Sequence, residues 1–166
     1  YCNQYDAVEA DTQYNQVIDT TDYYFVNQGN NCIYKTNTCW KDTPSGEGHN
    51  GHGFATKGLD NQAYACNYNL ITNCLAVNIL GAYQTRHPNS TFNVIKNSES
   101  HANVANRNLG DNKTSGIEWL AGNSNNIFEH MYIHHVDNGV NIVNNSENPS
   151  TIIAANNVVR NNLIAN

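Results

Sequence analysis

One short phrase recurs along this chain and leaves it few folds to choose from: an asparagine followed by two apolar residues. It appears as Asn31-Cys32-Ile33, Asn69-Leu70-Ile71, Asn93-Val94-Ile95, Asn126-Ile127-Phe128 and Asn157-Val158-Val159. The fifth residue is again polar in the last four copies, being Asn73, Asn97, His130 and Asn161. The copies are separated by 38, 24, 33 and 31 residues, so the period is loose while the phrase is constant. That combination predicts a solenoid, in which strands stack in register and loops of unequal length leave the corners. Each copy is too short to bury its own apolar face and needs a neighbour on either side.

A second series keeps step with the first. Gly53-Phe54-Ala55-Thr56-Lys57, Tyr83-Gln84-Thr85-Arg86, Gly116-Ile117-Glu118-Trp119-Leu120 and Gly139-Val140-Asn141-Ile142-Val143 each precede an asparagine phrase. Aligned on apolar positions, Phe54, Tyr83, Ile117 and Val140 form one column, and Thr56, Thr85, Trp119 and Ile142 another. Residues two apart on a strand share a face, so both columns can point inward while Ala55, Gln84, Glu118 and Asn141 point out. Tyr23 to Val26 is the expected strand before the first phrase. With two or three strands per turn, the pattern predicts an all-β parallel β-helix of about five rungs over residues 23–166. Residues 1–22 would be an irregular acidic arm or partial cap. Ile71, Ile95, Phe128 and Val159 are expected to stack inside.

The asparagines have a physical reason to be there. Asparagine tolerates left-handed backbone angles and bonds its own backbone, which suits corners. Stacked at about 4.8 Å, its amides can also bond one another along the axis. With 32 Asn in 166 residues, a ladder through Asn31, Asn69, Asn93, Asn126 and Asn157 is expected. On these repeats the sequence resembles the right-handed parallel β-helix superfamily, the pectate-lyase-like group. The resemblance implies architecture, since many unlike functions share that scaffold.

Composition narrows the partners. The 8 Lys and Arg against 14 acidic residues give a net charge of −6, which argues against a nucleic-acid surface. No apolar run is long enough to span a bilayer. Only 13% of residues are charged, so the surface must be largely neutral and polar, suited to sugars or to close self-packing. The opening at Tyr1-Cys2, the scarcity of lysine and the five cysteines, Cys2, Cys32, Cys39, Cys66 and Cys74, read as a secreted, extracellular protein in mature form. All five are disulfide candidates. Cys32 with Cys39 and Cys66 with Cys74 are close in sequence, and stacking offers pairs from adjacent rungs instead. Cys2 is the expected odd thiol, available to a neighbouring chain.

The arm carries Asp6, Glu9, Asp11, Asp19 and Asp22 without the ligand spacing of a calcium loop, and reads as a solvated acidic segment. Residues 41–53, 85–90, 103–115 and 144–150 read as loops. The last three carry or begin sequons at Asn89, Asn112 and Asn144, candidate glycan attachment sites.

Two candidate sites follow. Gly51-His52-Gly53-Phe54-Ala55-Thr56-Lys57 looks like the Asp-Gly-Phe-Ala-Ala-Lys segment of one pectate lyase family. That resemblance implies a site in which Ca²⁺ neutralises a uronate carboxylate and a Lys or Arg removes the neighbouring proton. Here His52 stands where the acidic ligand would be. Lys57, Arg86 and His87 are the candidate catalytic or recognition residues of such an enzyme, with Ca²⁺ as its cofactor. The second site is the histidine group. On a strand, His130 and His134 share a face and His135 takes the other. The polar-slot position of His130 makes it a stand-in for asparagine, and no metal is expected. The last repeat, Asn161 to Asn166, stays within the pattern, which predicts an uncapped end that invites pairing. A head-to-tail contact of this kind does not close and gives a filament. The expected function is therefore an extracellular, self-assembling structural solenoid bearing glycans. The alternative is a polysaccharide lyase, uronate epimerase or sugar-binding module acting on acidic polysaccharide.

Overall fold

The computed structural model describes residues 9–11, 23–27, 29–40, 52–57, 65–87, 89–102, 114–120, 122–143 and 155–165. Every regular element among them is a β-strand, and every strand pair is parallel. The first sheet contains β2 (Tyr23–Asn27), β5 (His52–Lys57), β9 (Gly81–Arg86), β13 (Ser115–Leu120) and β16 (Asn138–Val143). The second runs β1 (Glu9–Asp11), β3 (Ile33–Lys35), β7 (Leu70–Thr72), β11 (Val94–Lys96), β14 (Ile127–Glu129) and β17 (Val158–Arg160). The third runs β4 (Thr38–Trp40), β8 (Leu75–Val77), β12 (Glu99–His101), β15 (Tyr132–His134) and β18 (Leu163–Ala165). A small fourth sheet pairs β6 (Cys66–Asn67) with β10 (Ser90–Thr91) and continues through single bridges to Ser124 and Ala155. The chain visits the first, second and third sheets in turn and then starts again beside the strand it left. Among the described residues it makes five such passes, each a rung, with β1 adding one further strand to the second sheet.

Register follows the apolar columns. Phe54, Tyr83, Ile117 and Val140 are Cα partners, as are Thr56, Thr85, Trp119 and Ile142. In the second sheet Tyr34, Ile71, Ile95, Phe128 and Val159 align. Ile71, Ile95 and Phe128 are buried, and Val159 packs against the same core. The third sheet contributes Cys39, Ala76 and Ile133. Phe54 and Tyr83 stack at 5.3 Å, and the Tyr83 hydroxyl donates across the core to the carbonyl of Cys74 or Glu99, each 2.8 Å away. Fully burying one such aromatic or aliphatic side chain stabilises by roughly 1.5–3 kcal/mol. In the last four copies only the second apolar residue of the phrase enters this core. Leu70, Val94, Ile127 and Val158 alternate outward and stay partly exposed.

The corners divide the asparagines into two jobs. Asn31, Tyr68, Phe92, Asn125 and Asn156, each two residues before a strand of the second sheet, hold left-handed angles with φ of 57–59°. Thr36, Asn73, Asn97, His130 and Asn161 do the same on leaving that sheet. A left-handed residue with a Cβ costs roughly 1–2 kcal/mol, least for Asn and Asp, which accounts for much of the asparagine at these positions. At the start of β13, space sets the residue instead: a Cβ on Gly116 would run into Ile133 Cγ2.

The first copy of the phrase is out of register by one. Ile33 pairs with Leu70 and Tyr34 with Ile71, so Cys32, not Asn31, stands beside Asn69. Asn31 is taken up by the left-handed corner and is exposed.

Candidate functional site

The ladder runs along the inner edge of the second sheet. Asn69 Nδ2 donates to Asn93 Oδ1 (2.8 Å), Asn93 Nδ2 to Asn126 Oδ1 (3.0 Å) and Asn126 Nδ2 to Asn157 Oδ1 (3.2 Å). Each acceptor oxygen also takes the backbone N–H of the asparagine one rung before it, at 2.9–3.0 Å. Cys32 heads the column by donating its backbone N–H to Asn69 Oδ1 at 2.8 Å. Asn31 is therefore not part of the ladder. A mixed column borders the third sheet, where Ser98 Oγ accepts from Cys74 N (3.0 Å) and Asn162 Oδ1 from Met131 N (2.7 Å). These stacks hold strands together and leave little for a ligand.

The candidate catalytic group is partly assembled. Lys57 and Arg86 are register partners at the ends of β5 and β9, followed by Leu120 and Val143. His87 follows at a left-handed corner (φ 71°) and is buried. One column in, Ala55, Gln84, Glu118 and Asn141 are register partners. The expectation that these face water needs correcting, because Ala55, Gln84 and Glu118 are all buried. Alternation fixes the side of the sheet a residue leaves from, not whether that side meets solvent. Glu118 is gripped from both neighbouring rungs: Gln84 Nε2 donates to Oε2 at 3.1 Å and Asn141 Nδ2 to Oε1 at 3.3 Å. Burial pushes the Glu118 carboxyl above its usual range, against those hydrogen bonds, one from Ser115 and the charge of Arg86. A buried carboxyl with a raised pKa, within the field of a cation, is the raw material of general acid chemistry. Sequence alone sets Glu118 beside the site and assigns it no role. The signal that singles it out is a polar column, Gln84-Glu118-Asn141, held in register between two core columns. His52 and the loop before it fall outside the residues whose side chains are described.

The cysteine expectations change. Cys39, Cys66 and Cys74 are free and buried, so neither Cys32–Cys39 nor Cys66–Cys74 forms. Cys32 is disulfide-bonded, and Cys2 lies outside the described residues. Burial pushes the Cys66 thiol up to about 12 and Cys74 up to about 11. These three thiols fill core space, as a small apolar residue would. Of the sequons, Asn89 is half-buried and its Thr91 hydroxyl donates to Asn67 Oδ1 at 2.7 Å. Asn112 and Asn144 fall outside the described residues.

The histidines are placed differently from the expectation as well. His130 sits on an exposed left-handed corner ahead of β15, as Asn73 and Asn97 do ahead of β8 and β12. His134 lies on β15, and His135 is on the next corner (φ 55°) with Nδ1 2.8 Å from His134 Nδ1. His130 and His134 share no strand, because β15 covers only Tyr132–His134. The neighbours that matter come from the previous rung: Glu99 Oε1 lies 3.0 Å from His134 Nε2 and 3.2 Å from His101 Nδ1. No family model matches this sequence, and no similar curated protein or solved structure was found.

Proposed function

We propose that the chain is a right-handed parallel β-helix of the pectate-lyase-like kind, used as an extracellular structural solenoid that stacks head to tail with copies of itself. One observation carries this reading. The rung built from β16, β17 and β18 has a neighbour on one side only among the described residues, and two of its inward positions are exposed. Ile142 is 65% exposed and Ile164 is 47% exposed, although they stand in the columns of the buried Trp119 and Ile133. Leu163 beside them is 61% exposed. A further rung there would cover apolar surface worth on the order of 25 cal/mol per Å². It would also pair an open strand edge, which otherwise recruits partners. A copy of the same chain has matching three-sheet spacing and register, and heterologous stacking of identical copies does not close. The low charge and asparagine-rich surface support an extracellular setting, with glycans on Asn89, Asn112 and Asn144.

Electron microscopy and light scattering over a range of concentrations test it. Fibres or linear oligomers are expected, and Ile164→Lys should stop their growth without altering the circular dichroism. Particles that stay monomeric at high concentration defeat the assembly reading.

The buried Glu118 with its amide partners favours a second reading, a lyase or epimerase acting on acidic polysaccharide, with Lys57 and Arg86 engaging the sugar carboxylate. Incubation with uronate polymers tests it. Unsaturated products, or altered sugar composition, that are lost in Lys57→Ala would place this reading first.

A further inference from the structure

The outer face of the third sheet brings together side chains that no step of the assembly reading uses. Glu99 and His101 are two apart on β12 and so leave the same face. His134 is the register partner of His101 one rung further on. Their rings stack at 4.9 Å with 21° between planes, the spacing that parallel register imposes. Glu99 Oε1 is 3.0 Å from His134 Nε2 and 3.2 Å from His101 Nδ1, and all three ligand-type atoms lie within 4.8 Å of one another. Only one of these two approaches is a hydrogen bond. His134 Nε2 meets the carboxylate with bonding geometry, whereas His101 Nδ1 is a buried atom with no hydrogen-bond partner. A nitrogen shut away from water and aimed past its carboxylate neighbour is satisfied by a cation lying between the two.

The surroundings of His134 point the same way. Its Nδ1 is 2.8 Å from His135 Nδ1, and Tyr132 lies along its ring at 4.3 Å. A ring held through one nitrogen presents the other in a fixed direction, the usual arrangement behind a metal-bound imidazole. From these contacts we propose that Glu99, His101 Nδ1 and His134 Nε2 bind one divalent ion of the zinc class, with His135 as a positioning residue. Two imidazole nitrogens and one carboxylate oxygen suit Zn²⁺, Co²⁺, Ni²⁺ or Cu²⁺ and not Ca²⁺ or Mg²⁺, which take oxygen. Bonds of about 2.0–2.1 Å in a tetrahedron place ligands about 3.3 Å apart. Two of the three separations are already near that value, and the partly exposed side chains can close the third. On binding, the His134 Nε2 proton leaves to solvent, the proton in the His134–His135 contact moves onto His134 Nδ1, and His135 takes a proton from solvent at Nε2, so that the imidazoles keep the same total number of protons. The carboxylate neutralises one of the two metal charges. The fourth position is left facing outward, as in zinc sites that keep room for water or a ligand.

The full chain, stripped of metal with a chelator, should be titrated with Zn²⁺ by calorimetry and with Co²⁺ by visible absorption. One saturable site per chain is expected, with the ligand-field bands of a four-coordinate Co²⁺. His134→Ala and Glu99→Gln should remove it, His135→Ala should weaken it by about 10–100-fold, and His130→Ala should leave it unchanged. If circular dichroism shows that His134→Ala does not fold, His101→Asn takes its place. Absence of saturable Zn²⁺ binding, or binding that persists without His134 and His101, overturns the proposal. So does binding by Ca²⁺ at these residues in preference to Zn²⁺.

Discussion

Replacing Asn93 by alanine tests the ladder where it is best closed. Asn93 is fully buried. Its Oδ1 accepts from the backbone N–H and the side-chain amide of Asn69, at 3.0 and 2.8 Å. Its Nδ2 lies within donating range of Cys66 O (2.9 Å), Asn126 Oδ1 (3.0 Å) and Ser90 Oγ (3.1 Å). Truncation leaves several of the neighbours with other partners. Asn69 Nδ2 keeps the Gly29 carbonyl, Ser90 Oγ keeps Thr56 and Asn126 Oδ1 keeps the backbone N–H of residue 93. The Asn69 backbone N–H loses its acceptor in a place water does not reach. An orphaned buried donor costs about 1–3 kcal/mol, and each further bond lost about 0.5–1.5 kcal/mol net. The total is about 3–5 kcal/mol, against a stability of roughly 5–15 kcal/mol for an ordinary domain. Asn157→Ala is the comparison. It is half-buried, so water can replace its acceptor toward Asn126, and about 1 kcal/mol is expected. Urea unfolding followed by circular dichroism measures both. If Asn93→Ala costs under about 1 kcal/mol, or no more than Asn157→Ala, the ladder is a by-product of strand stacking and the reasoning fails.

Three further outcomes are expected. The folded-state pKa of Glu118 is raised by burial, so its stabilising contribution is complete below the ordinary carboxylate range and is lost as pH rises through the raised value. A tenfold difference in proton affinity between the folded and unfolded chain is worth about 1.4 kcal/mol. Glu118→Gln should therefore flatten that part of the pH–stability curve and match or exceed wild type at neutral pH; a steeper curve would refute this. Cys39, Cys66 and Cys74, buried and with raised thiol pKa values, should resist a thiol reagent in the native protein at pH 8 and react on unfolding. Rapid native labelling would contradict their placement. Gly116→Ala drives a methyl into Ile133 and should destabilise by about 1–3 kcal/mol or more; thermal melting checks it, and an unchanged midpoint would mean the packing of β13 against Ile133 is slack.

Much of the fold is legible in the sequence because two periodic signals have to agree. A strand repeats every two residues and a rung repeats once per pass, so Phe54, Tyr83, Ile117 and Val140 can be aligned without knowing the loops between them. The slip at Asn31 shows where that method stops. The phrase there matches by composition, but Tyr34, not Ile33, takes the inward position beside Ile71 and is buried. One residue of slip turns every side chain over, so packing, not the asparagine, sets the register. The corner role also falls on different residues from those expected. The ladder asparagines are bonded along the axis, and the left-handed angles belong to their neighbours.

The sites are less legible, for a reason that Glu118 and the His101–His134 pair share. In both, the informative contact joins side chains a whole rung apart: 34 residues for Gln84 and Glu118, 35 for Glu99 and His134. Linear proximity misleads here. It draws His130, His134 and His135 together, yet the backbone turns left-handed at both ends of that stretch and sends His130 off to its own corner. What makes Glu99 and His101 partners of His134 is parallel register without stagger, which stacks like position on like position at the strand spacing. Once β12 is set beside β15, His101 lies against His134 and Glu99 against Tyr132, with the carboxylate free to reach diagonally. A parallel stack thus turns side chains with a shared column position into a surface array. Reading such a chain for function means aligning its rungs first and looking for chemistry down the columns, where the outer face of β12 and β15 shows a nitrogen–oxygen cluster that no single segment contains.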